Sequence, residues 1–336
     1  MRVDHDTLMK ITLELVEERT REDRNLVSVY LCGSLLEGEY LLGGATDVDL
    51  VFIHYDEVLK GREILPLTED VHLDIAHHAQ NLYRTPRSIR VHPWLGPTIK
   101  ECRILHDPQH FMDFTQASVR GQYERPDRVH ERARAQIETA RKIWLDYQNE
   151  KPPPGPEDIY RYLKALENAA NAVAGFNGAP LCDRRFLMGF PERAERIGKP
   201  GMAVGLLGML GAPNIEGSAL VDFLPGWINA FEALPGQDRP ARLHPARRQY
   251  YLSAFETMLE SEQPETMLWP LLRTWTLAAK NLPENAPEVM EWRSALAKLR
   301  LLGEDFKDRL AGLDAYLDLI EDTIESWARQ NGVWVE

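Results

Sequence analysis

The sequence predicts an α+β protein with its strands first and its helices second. Runs rich in β-branched and aromatic residues are confined to the first 118 residues, and from residue 119 onward the apolar residues recur at helical spacing for the rest of the chain. Size is the third observation. A chain of 336 residues, 44% hydrophobic and 27% charged, can bury a large core but usually divides it, so two domains are expected, at 1–118 and 119–336.

The first element is a helix over about residues 6–23, where Leu8, Ile11 and Leu15 fall at helical spacing with charges between them. Leu26–Cys32 reads as a short strand. A glycine-containing stretch, Gly33–Ala45, separates it from Asp47–His54, which has no Gly or Pro and the composition of a strand. Val71–Ala76 reads as another, and Arg103–His106, just before Asp107-Pro108, as a last short one. The helical half is punctuated at Lys151–Pro156, Asn177–Pro180, Pro200-Gly201, Pro213, Pro235-Gly236 and Leu282-Pro283. The Pro-rich break at 152–156 lies between two helical patterns and reads as an inter-helix loop. In the last helix Leu313, Tyr316, Leu317, Ile320, Ile324 and Trp327 form one apolar stripe, while Asp314, Asp318, Glu321, Asp322 and Glu325 read as a solvated face.

Charge and cysteine content narrow the function classes. With 39 Lys+Arg against 52 Asp+Glu, a net −13, and no long basic run, an extended nucleic-acid footprint is disfavoured. Cys32, Cys102 and Cys182 are too few and too scattered for a disulfide framework or a zinc knuckle, which fits a reducing compartment. No stretch approaches the roughly 18 apolar residues of a membrane span, and the polar N-terminus does not resemble a signal peptide, so no membrane partner and a cytoplasmic location are expected.

The chemistry concentrates on the second strand. Period-2 geometry puts Asp47, Asp49 and Val51 on one face and Val48, Leu50 and Phe52 on the other, so two carboxylates project together over a buried apolar face. Two adjacent acids repel unless a pKa rises or a cation joins them, and hard oxygen ligands at this spacing suit Mg²⁺. In the strand at 71–76, Asp74 lies opposite to Leu73 and Ile75, so three carboxylates converge if the two strands are neighbours. Upstream, Gly33-Ser34 closes the first strand where a residue without a side chain lets backbone N–H groups approach an anion, and the Ser hydroxyl adds a donor. A phosphate cradle beside a two-metal site is an arrangement for phosphoryl or nucleotidyl transfer.

Gly33-Ser34, twelve residues, Asp47-Val-Asp49 in an apolar strand and Asp74 in a later strand resemble the signature of the polymerase-β-like nucleotidyltransferase superfamily. Gly38-Glu39 and Thr46 also stand where that family commonly has Gly-Glu and Ser or Thr. The resemblance covers about residues 6–80, a quarter of the chain. It implies a nucleotidyltransferase domain with a small mixed sheet. Asp47, Asp49 and Asp74 would be catalytic and hold two Mg²⁺ ions, with Asp74 able to help deprotonate the acceptor. Gly33, Ser34 and Thr46 would contribute to nucleotide binding. The implied reaction moves a nucleoside monophosphate, AMP first among them, from an NTP to a hydroxyl and releases pyrophosphate.

The helical half is loosely similar to the C-terminal bundles of the small-molecule, aminoglycoside-modifying branch, which implies an all-helical domain closing the active-site cleft. Over residues 157–176, Ile159, Leu163, Leu166, Ala170 and Val173 form a core stripe, and Tyr160, Lys164, Glu167 and Asn171 a polar one. Lys164 could reach a triphosphate and Glu167 could serve as the acceptor base. Arg184-Arg185 reads as a salt-bridged helix start rather than a phosphate clamp. His72, His77 and His78 read as polar residues rather than zinc ligands, and Trp94, Trp144, Trp227, Trp269 and Trp292 as core. The segment 303–336 carries nine acids against three bases, an acidic wall that would attract a cationic acceptor. Two alternatives stand beside the small-molecule enzyme: a protein adenylyltransferase, and a non-catalytic nucleotide-binding or antitoxin-like module. The acid cluster is expected to be exposed, so removing Asp47 or Asp49 should relieve repulsion and leave stability unchanged or raised.

Overall fold

The computed structural model describes residues 4–56, 58, 60–149, 154–236 and 239–334. The chain divides into two compact units, one of Met1–Arg125 with Ala246–Ser253 and one of Pro126–Pro245 with Ala254–Glu336.

The first unit opens with helix α1 (His5–Glu22), whose N-terminus is capped by Asp4 accepting from the Thr7 N–H at 2.8 Å. Strands β1 (Leu26–Cys32), β2 (Thr46–His54), β3 (Arg62–Pro66), β4 (Val71–Ala79) and β5 (Arg103–His106) form one sheet in the order β3-β4-β2-β1-β5. It is mixed: β2 and β4 run parallel, and the other neighbours are antiparallel. Strand β3 has no counterpart in the expectation from sequence. Helices α2 (Pro86–Val91), α3 (Leu95–Glu101) and α4 (Phe111–Arg120) complete this part of the chain, so helical structure begins before residue 119.

Alternation along the strands sorts their side chains onto two cores. Leu31, Val48, Leu50, Phe52, Leu73 and Ile75 pack with Leu8, Met9 and Val16 of α1. On the other face Val27, Tyr30, Val51 and Ile53 pack with Ile89, Ile99, Met112 and Val119 of α2 to α4. Burying each large aliphatic side chain contributes about 1.5–3 kcal/mol, which holds the central strands rigidly in register. The buried hydroxyl of Ser28, inside β1, is satisfied by donating to the His106 carbonyl of β5 at 2.7 Å.

The remaining helices are α5 (Pro126–Asn149), α6 (Pro156–Ala174), α7 (Phe186–Arg196), α8 (Gly201–Met209), α9 (Gly217–Leu220), α10 (Leu224–Glu232), α11 (Arg247–Leu259), α12 (Leu268–Lys280), α13 (Pro287–Lys298) and α14 (Asp305–Gln330). The start of α11 belongs to the first unit and the others to the second. Of the Pro-rich break, residues 151–153 lie outside the described residues; Gly155 then caps α6, its N–H donating to the Asp158 carboxylate at 2.8 Å. Helix α6 is the centre of the second unit, packed against α5, α12 and α14, with Ile159, Leu163, Leu166, Ala170 and Val173 fully buried. Trp227, Trp269 and Trp292 are core residues, as is Trp275, whereas Trp94 and Trp144 are only half-buried.

The acids of α14 are not simply a solvated face. Arg141 of α5 donates to Asp314 at 2.6 Å, to Asp318 at 2.6 Å and to Glu321 at 2.9 Å, so three members of the expected acidic wall are spent on one guanidinium. No helix among the described residues is long and apolar enough to cross a membrane.

Candidate metal and phosphate site

The parallel pairing of β2 and β4 sets Asp49 beside Asp74 and Asp47 beside His72 in register. Asp47, Asp49 and Asp74 each bring one carboxylate oxygen to within 4.8 Å of the others, and they form the one such group of potential metal ligands found among the described residues. Three hard oxygen donors at that spacing have the chemistry a divalent cation such as Mg²⁺ requires. His54, His72, His77 and His78 join no such group.

The Gly33-Ser34 turn lies directly against this cluster because β1 ends opposite β2 with Cys32 paired to Asp49. Gly33 has φ +80° and ψ −167°, a conformation accessible essentially only to glycine. A Cβ built at Gly33 would stand 2.0 Å from Asp49 Oδ2, so the missing side chain is what admits the carboxylate. Ser34 is half-buried and begins a single 3-10 turn, Ser34–Leu36. Thr46 is fully buried, and its hydroxyl donates to the carbonyls of Tyr40 at 2.9 Å and Asp47 at 3.2 Å. That hydroxyl ties down the loop before β2.

The cluster is buried rather than exposed: Asp47 is 8% and Asp74 1% accessible, with Asp49 half-buried. Sequence reasoning also missed its counter-charges. Arg62, on the unforeseen edge strand β3, grips Asp74 through Nε at 2.5 Å and Nη2 at 2.8 Å, the paired geometry favoured between guanidinium and carboxylate. Arg247, at the start of α11, contacts Asp74 and lies 3.7 Å from Asp47. Burial opposes the Arg247 charge, but Tyr251, Asp47, Tyr250 and Asp49 outweigh that penalty and hold its pKa above the ordinary arginine value. Its guanidinium also lies 5.6 Å from the Tyr250 ring, and Tyr250 meets the buried His72 edge-on at 5.1 Å. The charges of Asp47 and Asp74 are therefore met by two guanidiniums.

Farther along the same sheet, His54 Nε2 and His77 Nδ1 are 2.9 Å apart, with Asp23 3.5 Å from His54 and Glu63 3.6 Å from His77. Burial is the main cause that lowers both imidazole pKa values. His78 instead pairs with the Tyr83 hydroxyl, which joins Tyr30 at 2.9 Å.

Lys164 and Glu167 belong to the second unit. Lys164 is exposed, whereas Glu167 is buried and accepts from Arg273 Nη2 at 3.1 Å. Arg273 lies 5.0 Å from the Tyr160 ring and 5.6 Å from that of Trp269. Asn171 is spent on the backbone of Leu181, bonding both its carbonyl and its N–H. The polar stripe is thus largely an internal network. Arg184 is buried in a short 3-10 turn. No protein-family sequence profile matches the chain, and no curated protein matches it at a significant level.

Proposed function

We propose that the chain is a metal-dependent nucleotidyltransferase that moves a nucleoside monophosphate from an NTP to the hydroxyl of a small molecule. The observation that carries the reading is the convergence of Asp47, Asp49 and Asp74 from two parallel strands against a turn, Gly33-Ser34, whose conformation is reserved for glycine. Asp47, Asp49 and Asp74 would hold the ions; when bound, these supply charge neutralisation for the triphosphate. Ser34 and the backbone after Gly33 would orient the β- and γ-phosphates. The acceptor oxygen forms its bond to the α-phosphorus as the bond from that phosphorus to the bridging oxygen breaks, the electron pair leaves with pyrophosphate, and the hydroxyl proton passes to water. Both Asp74 oxygens accept from Arg62, so a role for Asp74 in taking the acceptor proton requires that pair to open. The nucleotidyl-transfer part of the reading rests on the first unit alone, and the small-molecule acceptor on the loose resemblance of the helical half.

A second reading, a nucleotide-binding module without catalysis, is favoured by the two guanidiniums already seated on Asp74. Thermal melts of wild type and Asp47→Ala/Asp49→Ala with ATP, CTP, GTP or UTP, each with and without Mg²⁺, test the proposal. A ligand at about 100 times its dissociation constant stabilises by roughly 2.7 kcal/mol. A Mg²⁺-dependent shift lost in the variant is expected. No shift with any nucleotide would overturn the assignment.

A further inference from the structure

We infer that Arg247 is a built-in competitor for the metal site: its guanidinium and a divalent cation occupy the same carboxylate oxygens, and one must leave for the other to bind. This rests on the reading of the acid triad as the metal site. Three observations carry it.

Arg247 contacts Asp74 and approaches Asp47 to 3.7 Å, so it stands between two of the three acids that would ligate the ion. Asp74 Oδ2 already meets both Arg62 and Arg247, which engages both of its lone pairs, and an ion held between Asp47 and Asp74 would stand against the Arg247 charge. The two arginines on Asp74 also differ in freedom. The Arg62 side chain is 49% exposed and can turn into water, but that of Arg247 is 5% exposed. Arg247 displaced from Asp74 keeps its charge beside the site, where a guanidinium is suited to phosphate oxygens. Finally, Arg247 is brought to the sheet by the short segment Ala246–Ser253, distant in sequence from every strand, so the segment's place in this unit coincides with delivery of the cation.

The competition has two readouts that do not depend on turnover. In metal-free wild-type protein, Arg247 should resist phenylglyoxal, and saturating Mn²⁺ should raise its labelling, followed by mass spectrometry. Mn²⁺ titration followed by electron paramagnetic resonance should give Arg247→Gln a higher affinity than wild type, on the order of tenfold, because a full positive charge next to the ligands is removed. Arg247→Lys, which keeps the charge but not the fork, should fall between the two; it also serves if Arg247→Gln fails to fold, as judged by circular dichroism. Equal or weaker Mn²⁺ binding by the folded variant, or Arg247 labelling unaltered by Mn²⁺ in a wild type that binds the ion, would overturn the competition while leaving the metal site intact. No Mn²⁺ binding by wild type or by either variant would overturn the metal-site reading and the competition with it.

Discussion

Replacing Gly33 by alanine separates the two demands that the turn makes on this residue. Its backbone, at φ +80° and ψ −167°, lies where a non-glycine residue costs about 1–3 kcal/mol. The added Cβ would also meet Asp49 Oδ2 at 2.0 Å, against 3.4 Å for an ordinary contact, so the carboxylate must retreat by about 1.4 Å. Gly38 is the internal control. It has φ +85° with nothing within 4 Å of a built Cβ, so Gly38→Ala carries backbone strain without a collision, about 1–2 kcal/mol. Gly33→Ala should therefore cost about 1–2 kcal/mol more than Gly38→Ala in urea unfolding, as an off-rotamer or displaced side chain does. It should also weaken Mn²⁺ binding by about 10–100-fold, the usual penalty for moving a group that orients a ligand, while Gly38→Ala leaves Mn²⁺ binding unchanged. If the two variants unfold alike and bind Mn²⁺ alike, Gly33 is not what seats the Asp49 carboxylate.

Asp74→Asn should destabilise by about 3–5 kcal/mol, because it strips a buried Arg247 and Arg62 of their shared carboxylate; unchanged or raised stability in urea unfolding would restore the picture of an exposed, self-repelling cluster. Arg273→Met should cost a similar amount, about 3–5 kcal/mol, by leaving Glu167 buried and uncompensated. Adding Glu167→Gln should recover more than about 1 kcal/mol of it, and strict additivity in that double-mutant cycle would refute the pairing. Acid should also weaken the fold. Burial lowers the pKa of His54, His77 and His78 below 6.5, so the unfolded chain takes up protons that the folded chain resists. Their contribution to stability is complete above that value and declines as pH falls below it. His77→Gln should flatten the dependence of the melting midpoint between about pH 5 and 7; a slope identical to wild type would exclude the pair as its source.

Much of the first unit was legible because strands covered on both faces read as continuous runs of β-branched and aromatic residues. Leu26–Cys32 and Arg103–His106 match β1 and β5 at both ends, and the parities of Asp47, Asp49 and Asp74 hold across β2 and β4. Strand β3 escaped notice because Arg62-Glu-Ile-Leu-Pro66 is a short edge strand, paired only with β4, with one buried residue, Ile64. Periodicity also states which face a residue occupies but not what covers that face. Asp47 and Asp74 were therefore placed correctly and judged exposed, while Arg247, which comes from far along the chain, had no local pattern to announce it. The same ambiguity surrounds Glu167: a polar stripe on a helix reads alike whether water or a guanidinium such as that of Arg273 lies against it.

Product identity tests the central claim most directly. Prolonged incubation of wild-type protein with an NTP and Mg²⁺, with water or an added polyol as acceptor, should yield pyrophosphate together with the nucleoside monophosphate or its adduct. Asp49→Asn should abolish both products. Formation of a nucleoside diphosphate and orthophosphate, or pyrophosphate released at the same rate by Asp49→Asn, would contradict nucleotidyl transfer by this site.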